Sequence, residues 1–413
     1  MRSRFTLVLT VLASTTVLAS TTFLVAAPAQ ADAPVVPVSG TTTFAGHGFG
    51  HGRGMSQYGA RGRAIKGWHA ASILSFYYPG TTLSSASGDI RVWLKGDIDS
   101  DTIVLPKSGL SITDSGRPGM VFRLPATVGA TAWKLTGSGS ASGFKLSYAN
   151  NGWHTYFPGG HAMVGYGEFR TSSYTVTVRM PTGNKSYRGT IQRRNGHTIN
   201  RTSFDSYVKG VVAAEMPPTW QLEALKSQAI AARTFGAYSK ATSSGPTDTW
   251  NVDDTTSYQV YGGIGSETSR TNQAVTGTAG KILTFAGAPE NGGPAYTQFS
   301  SSNGGWTVAG ATKPYLVAAA DTYEQYAHNP YSSWTYAPSA TTLRSKLQAL
   351  AISKGTNIGT LTGLQVVDRD GHGAWGGRVL DIRLIGTKGN VVVDGSDLRF
   401  AIGLRSTWFT LAD

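Results

Sequence analysis

The segment from Ser206 to Phe235 reads SYVKGVVAAEMPPTWQLEALKSQAIAARTF, and it holds two helical patterns separated by a double proline. The first pattern predicts a helix that is capped by Asp205 or Ser206 and ends near Glu215, because proline cannot donate the backbone hydrogen bond that would extend it. The second pattern, which Thr219 can cap, predicts a longer helix with one apolar face in the core. That face consists of Leu222, Leu225, Ala229, Ala232 and Phe235.

The two helices bring charged groups close to the double proline that separates them. Glu215 lies at the end of the first helix, and Arg233 shares a face of the second helix with Lys226. A carboxylate at the end of a helix, beside the basic face of the next helix, suits the cleavage or binding of a charged polymer. Glu and Arg on helices are also commonly solvated surface residues. The segment alone therefore leaves a functional and a structural interpretation open.

The patterns on either side of this segment predict an α+β fold, in which a mixed, β-rich scaffold carries this helical segment, the candidate catalytic segment, in the middle of the chain. Alternating Thr, Val and Tyr residues, bounded by Gly, Asn and Pro, predict strands from Ile90 to about Arg201. Beyond the helices, the pattern predicts strands at 281–285, 379–384 and 391–393 and a helix at 340–353.

The composition restricts the chemistry that this chain can carry. It has 413 residues and no cysteine, which excludes disulfides, thiolate metal ligands and catalytic thiols. His47 and His51 are four apart, but the glycines around them disfavour the helix that such a metal pair needs, so we predict no metal and no cofactor. The formal charge of +13 suits an anionic polymer surface. Nucleic acid is not predicted as a partner, because the chain has no clustered Lys/Arg run.

The N-terminus has the pattern of a secretory signal. A basic start, MRSR, precedes an apolar stretch from Phe5 to Ala27, and the small residues Ala29 and Ala31 provide a cleavage site. The stretch is nearly long enough to span a membrane, so an anchor is the alternative interpretation. The small residues that follow the apolar stretch favour cleavage over a membrane anchor. We therefore predict a signal peptide at 1–31, a secreted or cell-wall location, and no membrane span after cleavage.

The wording of 206–235, from YVKGVV through EMP to ARTF, resembles the stage II sporulation protein D / amidase enhancer family. Further blocks that resemble the family follow in its order, and with IRV (90–92) they cover most of the chain after the signal. These blocks are DTTSYQVY (254–261), AVTGTAGKILT (274–284), FSSSNGGWT (299–307), PYL (314–316) and LRFAIGLRSTWF (398–409).

One block of the family is displaced in this chain. GHGRGMSQYGA (50–60), followed by ILSFYYPG (73–80), usually comes after the last of these segments, and here it stands at the front. Such a move keeps the fold if the chain ends lie close together, so we expect Gly46–Gly80 to pack against Leu398–Leu411. The predicted organisation is a signal peptide (1–31), a linker (32–45), a Gly-rich module packing on the C-terminal segment (46–82), a β-rich region (88–200) and a catalytic region similar to the family (201–413).

The resemblance implies an exported lytic transglycosylase that cleaves peptidoglycan glycan strands. Glu215 matches the family's acid, and it would act as general acid and base to form 1,6-anhydro-muramic ends. Hydrolysis needs two carboxylates, whereas this segment supplies one, because Glu223 lies beyond the proline break. A second interpretation is a non-catalytic, glycan-binding enhancer whose partner is a cell-wall amidase. A third is a plain wall-adhesion module.

The remaining residues of the predicted site would bind substrate. A cation beside Glu215 would lower the pKa of its carboxyl and weaken it as an acid. Arg233 is therefore expected to bind a lactyl or peptide carboxylate of the substrate rather than Glu215. Partial burial behind an apolar wall is expected to raise the pKa of Glu215. The candidates for this wall are Val211, Val212, Met216 and Trp220. Other predicted substrate-binding residues are His51, Ser56, Gln57, Gln259, Tyr261, Ser300, Ser301, Ser302, Gly304, Gly305 and Tyr315.

Overall fold

The structure is a computed structural model, and it describes residues 33–137, 143–243 and 249–412. The predicted signal peptide at 1–31 lies outside the described residues. Within the described residues, helices and strands of mixed order build an α+β fold, as the sequence predicts.

The helices fall mainly in the middle of the chain and near its C-terminus. The helix predicted at 340–353 and the helix predicted to end near Glu215 are both confirmed. In chain order the helices are α1 (Gln57–Ile65), α2 (Ala70–Tyr77), α3 (Phe204–Glu215), α4 (Leu222–Thr242), α5 (Ser269–Thr276), α6 (Ala340–Ser353) and α7 (Gly395–Ile402).

The N-caps of the two central helices differ from the prediction. The Ser203 hydroxyl accepts a hydrogen bond from the Ser206 N–H, so Asp205 and Ser206 lie inside the first turn of α3 rather than capping it. Gln221, and not Thr219, precedes α4. The reason is a turn after the double proline, in which the N–H of residue 220 donates to the carbonyl of residue 217 before the helix can begin.

α4 is buried on nearly every side rather than along one face. Helices α1, α2, α3 and α5 pack around it. Besides the predicted apolar face, polar and charged side chains of α4 are therefore in the core: Ser227, Gln228, Arg233 and Thr234. α4 is therefore not the amphipathic helix that the sequence pattern predicts, and Arg233 lies in the core rather than on an exposed face.

The strands surround these helices. In chain order they are β1 (Val36–Pro37), β2 (Thr43–Gly46), β3 (Met55–Ser56), β4 (Thr82–Ser85), β5 (Asp89–Trp93), β6 (Asp101–Val104), β7 (Ser111–Asp114), β8 (Val121–Arg123), β9 (Ala132–Thr136), β10 (Lys145–Ala149), β11 (Trp153–Tyr156), β12 (Gly167–Arg170), β13 (Thr175–Met180), β14 (Gly183–Arg188), β15 (Thr190–Arg194), β16 (His197–Ser203), β17 (Val252–Asp253), β18 (Lys281–Thr284), β19 (Phe299–Ser300), β20 (Trp334–Tyr336), β21 (Leu361–Arg369), β22 (Val379–Gly386), β23 (Gly389–Asp394) and β24 (Phe409–Ala412).

Two large sheets form the β-rich region. One has the order β11-β10-β9-β6-β13-β14, and the other has the order β17-β5-β16-β15-β12-β7-β8. Apolar residues from both sheets, such as Leu135 and Phe169, share one hydrophobic core with α3 and α4. The predicted boundary between the β-rich region and the region that follows it, at residues 200–201, therefore does not divide this core. The shared core fixes the β-rich region relative to the helical segment.

A second, smaller core holds the C-terminal part together. The sheets β1-β21-β22-β23 and β20-β2-β24 pack with α6 and α7. Its buried residues include Leu343, Leu347, Leu364, Ile382 and Leu398. The strand predictions at 379–384 and 391–393 correspond to β22 and β23, and that at 281–285 corresponds to β18.

The segment that begins at Gly46 lies against the C-terminal segment. β2 pairs antiparallel with β24, and the His47 N–H donates to the Trp408 carbonyl at 2.9 Å. The Gly50 N–H donates to the Arg405 carbonyl at 2.9 Å. Farther on, β3 pairs with β19 in parallel and brings the same segment to Ser300. The Gly-rich loop, residues 46–54, is thus held between two distant parts of the chain.

Candidate functional site

Glu215 lies at the C-terminal end of α3, where the double proline ends the helix and leaves the side chain half-buried. Its Oε1 accepts a hydrogen bond from the Val260 N–H at 3.1 Å, and its Oε2 accepts one from Gln57 Nε2 at 3.3 Å. Burial raises the pKa of this carboxyl, and these two hydrogen bonds oppose the rise. Glu215 is thus a carboxyl with few partners and a tendency to hold its proton.

The Glu215 carboxyl opens into a cleft of about 400 Å³ between the Gly-rich loop and the chain that follows α4. Among the described residues that line this cleft, Glu215 is the one carboxylate. Polar lining residues are His51, Gln57, Ser300 and Ser301, four of the predicted site residues. The aromatic lining residues are Phe49, Phe235, Tyr258, Tyr296 and Phe299.

The cleft continues into a second cavity of about 660 Å³. The two cavities share Phe235, Ser257, Tyr258 and Tyr296, so they form one groove. Aromatic rings and short polar side chains along a groove are typical of surfaces that bind sugar rings. Glu215 lines the smaller of the two cavities that make up this groove.

The Gly-rich loop approaches Ser300 too closely for a larger residue at position 50. Gly50 has a φ of +113°, and a Cβ there would lie 2.6 Å from the Cβ of Ser300. The glycine therefore allows the loop to form one side of the cleft with its backbone.

His51 is a neutral polar group at the edge of the cleft. Burial, followed by the charges of three arginines, lowers the pKa of His51 to about 3. Its Nδ1 accepts a hydrogen bond from the Arg53 N–H at 3.0 Å, so the single ring proton is on Nε2. His51 therefore offers hydrogen bonding to a ligand without competing with Glu215 as an acid.

Three of the predicted sugar-binding residues instead serve a second, buried carboxylate. Glu324 accepts hydrogen bonds from the Ser56 and Ser302 hydroxyls and from the Gly304 N–H. Ser56 is also the N-cap of α1 and is fully buried, as is Ser302. These residues do not reach the cleft, and their assignment as substrate-binding residues is wrong. Glu324 is not recognisable from the sequence, because no motif surrounds it.

Asn303 extends the Glu324 cluster toward the neighbouring loop. Its backbone N–H donates to Glu324, and its side chain donates to Asp321 at 2.8 Å. The Asn303 Oδ1 accepts from the Gly305 N–H, so Gly305 serves this turn and does not line the cleft.

Gln259 and Tyr261 are on the wrong side of their segment to bind substrate. Gln259 is buried and donates to the Tyr207 hydroxyl, and Tyr261 is buried and donates to Asn200. Tyr258, which precedes Gln259, and Val260, which lies between Gln259 and Tyr261, face the cleft instead. Neighbouring residues of an extended segment point to opposite sides, and the prediction chose the buried side.

Tyr315 supports the groove from behind. Its side chain is buried, and its hydroxyl accepts from the Tyr296 N–H at 2.6 Å while donating to Glu290 at 2.7 Å. It therefore positions Tyr296, which lines the groove, and it does not contact a ligand there. The prediction that it binds substrate is corrected accordingly.

Arg233 does not face the cleft. Its side chain is fully buried, and its Nε donates to Asp205 at 2.7 Å while Nη1 donates to the Lys281 carbonyl at 3.0 Å. Burial lowers the pKa of Arg233, and the charge of Asp205 opposes this shift. The predicted grip on a substrate carboxylate is wrong, because the guanidinium joins α4 to α3 and β18.

The predicted apolar wall is also made by other residues. Val211, Val212, Met216 and Trp220 are buried but do not line the cleft. The rings of Phe235, Tyr258, Tyr296 and Phe299 line it instead. Partial burial of Glu215 is nevertheless present, and its pKa rises in the predicted direction.

The arrangement suits proton transfer by Glu215 to and from a ligand in the cleft. A half-buried carboxyl with a raised pKa can donate a proton and take one back. Across the described residues, no group of three or more His, Asp or Glu side chains has the arrangement of a metal site. In those residues, no helix has the length and apolar character to cross a membrane.

Comparison with known proteins gives one family. The family model described as stage II sporulation protein matches residues 192–285, which include α3, α4 and Glu215. No solved structure matches the chain significantly.

Among curated proteins, the amidase enhancer of Bacillus subtilis is 38% identical over 188 residues, which are 43% of this chain and 24% of that protein. The stage II sporulation protein D of Bacillus amyloliquefaciens is 30% identical over 239 residues, which are 53% of this chain and 63% of that protein. An uncharacterized protein of Brachyspira hyodysenteriae is 40% identical over 125 residues, 29% of this chain and 32% of that protein. This chain thus covers less than two thirds of each relative. The family match and these relatives show that the chain is similar to members of the stage II sporulation protein D / amidase enhancer family.

Proposed function

We propose that this protein is an exported peptidoglycan lytic transglycosylase, with Glu215 as its general acid and base. The observation that carries the proposal is the placement of Glu215 as the one carboxylate in an aromatic-lined cleft, with burial raising its pKa. The names of the similar proteins, amidase enhancer and stage II sporulation protein D, support a role at the cell wall.

The proposed reaction needs one carboxyl group and no water. Protonated Glu215 donates its proton to the oxygen of the glycosidic bond, and the bond from this oxygen to the anomeric carbon of muramic acid breaks. The Glu215 carboxylate then takes the proton of the C6 hydroxyl on the same sugar, whose oxygen bonds to the anomeric carbon. A 1,6-anhydro end forms, the leaving sugar keeps the first proton, and Glu215 is protonated again.

The contacts of Glu215 fit both halves of this cycle. Burial favours the protonated form that donates first. The Val260 N–H and the Gln57 amide then stabilise the carboxylate that remains after donation. Hydrolysis would require a second carboxylate across the sugar, and the described lining of the cleft does not supply one.

The proposed setting is the wall outside the membrane. The net charge of +13 favours an anionic polymer such as peptidoglycan. The predicted signal at 1–31 would direct the chain there. A cell-wall amidase is the proposed partner enzyme, since one similar protein is named an amidase enhancer.

The test is mass spectrometry of peptide-stripped glycan after incubation with the protein. We expect new 1,6-anhydro-muramic ends with the wild type and none with Glu215→Gln. Glu223→Gln is the matched control, because Glu223 accepts hydrogen bonds from the Ala70 N–H and Lys226 and does not line the cleft. Anhydro ends at the wild-type rate from Glu215→Gln would overturn the assignment.

A second candidate function is a non-catalytic, glycan-binding enhancer of an amidase. The 38% identity to the amidase enhancer of Bacillus subtilis favours it. The same glycan would then stay intact with this protein alone. A mixture with an amidase would release stem peptides faster, and Glu215→Gln would keep that effect.

A further inference from the structure

The β-rich region has a cavity of its own, which we name the sandwich cavity. It has a volume of about 550 Å³ and lies between the loop 106–110, the segment 123–126 and Trp133 of β9. It shares no lining residue with the Glu215 cleft. The loop 106–110 joins β6 of one large sheet to β7 of the other, so the cavity opens at one end of the two sheets.

The charged residues that line the sandwich cavity are both cations, Lys107 and Arg123. The Lys107 ammonium donates to the hydroxyl of Thr175, which fixes it at the rim. Arg123 is exposed, and its guanidinium has no hydrogen bond or ion pair with any residue that the structure describes. Arg117 of the same region, in contrast, is paired with Asp114. The cavity therefore has a positive potential that no lining carboxylate balances.

The interior of the sandwich cavity is apolar and already formed. Leu110, Leu124 and Trp133 line it and are themselves buried. The Leu124 N–H donates to the Leu110 carbonyl at 3.0 Å, which ties the two walls together. Trp133 packs against the rings of Tyr148 and Tyr156 at centroid distances of 5.6 and 5.2 Å. A ligand would therefore meet buried apolar side chains with the exposed guanidinium of Arg123 at their edge.

We propose that the sandwich cavity is a second peptidoglycan-binding site, which takes a carboxylate next to a methyl group. The planar guanidinium of Arg123 matches a carboxylate with two parallel hydrogen bonds, and the apolar walls accept the methyl group. Peptidoglycan carries this chemistry in two places: the lactyl group of peptide-stripped muramic acid, and the terminal alanine of a stem peptide. This inference rests on the proposed substrate but not on catalysis by Glu215.

A second site would change how the protein acts on a polymer. The residues of the sandwich cavity and those around α3 belong to one hydrophobic core, so the two sites are held at a fixed distance. A strand bound at the cavity stays at high local concentration near the cleft, which strengthens binding of a polymer without any new contact at Glu215. Short glycans, which reach one site at a time, would not gain from it.

The test measures binding by calorimetry to three soluble probes. These are peptide-stripped glycan oligomers, a disaccharide–tetrapeptide, and chitotetraose as the sugar without carboxylates. All measurements use the full chain carrying Glu215→Gln, so that the glycan is not consumed. We expect Arg123→Ala to weaken binding of at least one carboxylate probe by roughly 10- to 100-fold, the loss of a charged hydrogen bond. Chitotetraose binding is expected to stay unchanged.

The controls separate the cavity from general charge. Arg179 is an exposed arginine of the same region that does not line the cavity, and Arg179→Ala is expected to leave all affinities unchanged. Unfolding temperatures of both variants should equal that of the parent. The probe that responds to Arg123→Ala identifies the source, lactyl or alanyl.

The outcomes for this inference and for the proposed function are distinguishable. Equal affinity of the Arg123→Ala and parent proteins for both carboxylate probes overturns the second site, whatever Glu215 does. An equal loss for chitotetraose or with Arg179→Ala also overturns it. A selective loss with Arg123→Ala supports it even if the wild type makes no anhydro ends, in which case only the catalytic proposal fails.

Discussion

Glu215 and Glu324 are both carboxyls whose pKa burial raises, but the structure places them in opposite situations. Glu215 has two donors, at 3.1 and 3.3 Å, and faces an open cleft. Glu324 is enclosed, and its donors are the hydroxyls of Ser56 and Ser302, the N–H groups of Asn303 and Gly304, and the side chain of Asn329. A raised pKa thus indicates burial in both, whereas access and free lone pairs distinguish the candidate acid from the structural one.

The two carboxylates are connected through the start of α1. Ser56 caps the helix and donates to Glu324, and the next residue, Gln57, donates to Glu215. Glu324 therefore holds the N-terminus of α1 in the position from which Gln57 reaches the cleft. The comparison predicts that a neutral substitution at Glu215 changes the rate of the reaction, whereas one at Glu324 changes the free energy of unfolding.

The largest effect is expected from Glu215→Gln. Loss of a general acid and base lowers turnover by about 10²- to 10⁴-fold, while folding stability changes little because the side chain is half-buried at a helix end. The rate of formation of anhydro ends measures the first quantity, and thermal unfolding measures the second. Retained turnover together with a large loss of stability would place Glu215 in the same class as Glu324.

The sequence predicted the local elements near Glu215 well, because they depend on local signals. The double proline fixes the end of α3, and the apolar repeat gives α4. Glu215, Gln57 and Ser301, which are among the predicted site residues, line the cleft. At Gly50 only glycine tolerates both the positive φ and the close approach of Ser300.

The errors concern which side of an element faces the core, and local patterns do not determine this. Arg233 has the spacing of a surface arginine, and only the packing of other helices around α4 shows that it is buried. Gln259 differs from Tyr258 by one position, which in an extended segment reverses the side. Glu324 is recognisable only after folding brings Ser56 and Ser302 to it from distant segments.

The next effect in size is expected from Arg233→Ala. It removes a fully buried cation that joins α4 to Asp205 and to the Lys281 carbonyl, so we expect a loss of about 3 kcal/mol in the free energy of unfolding. This is the low end of the range for a broken buried pair, since Asp205 still reaches solvent. Denaturant unfolding measures it, with the partly exposed Lys226→Ala as a control expected within about 0.5 kcal/mol.

The Michaelis constant separates the two interpretations of Arg233. If it contacts substrate, the folded Arg233→Ala protein would show a raised KM with normal stability. The structure predicts the reverse, with KM unchanged under conditions where the variant remains folded.

Glu324 is expected to make stability depend on pH. Burial, then the charge of Asp321, raises the pKa of Glu324 from 4.5 to about 7. Between these values the folded protein binds more protons than the unfolded chain, so the free energy of unfolding falls as pH rises, by up to about 3 kcal/mol. Glu324→Gln should flatten this dependence. Unfolding midpoints at pH 5 and pH 8 measure it, and an equal slope in both proteins would assign the effect to other groups.

The smallest effect is expected from Gln57→Ala, and it tests how the cleft adjusts Glu215. The Gln57 amide stabilises the carboxylate form, so its removal raises the pKa of Glu215. The acid must be protonated to act, so the alkaline limb of the pH–rate profile should move to higher pH, by less than about 1 unit for one long hydrogen bond. Gln57→Glu should move it farther in the same direction, because a second negative charge at that position opposes ionisation. A shift to lower pH in both variants would mean that the limb reports a group other than Glu215, and the distinction between the cleft acid and the buried one would then lose its kinetic support.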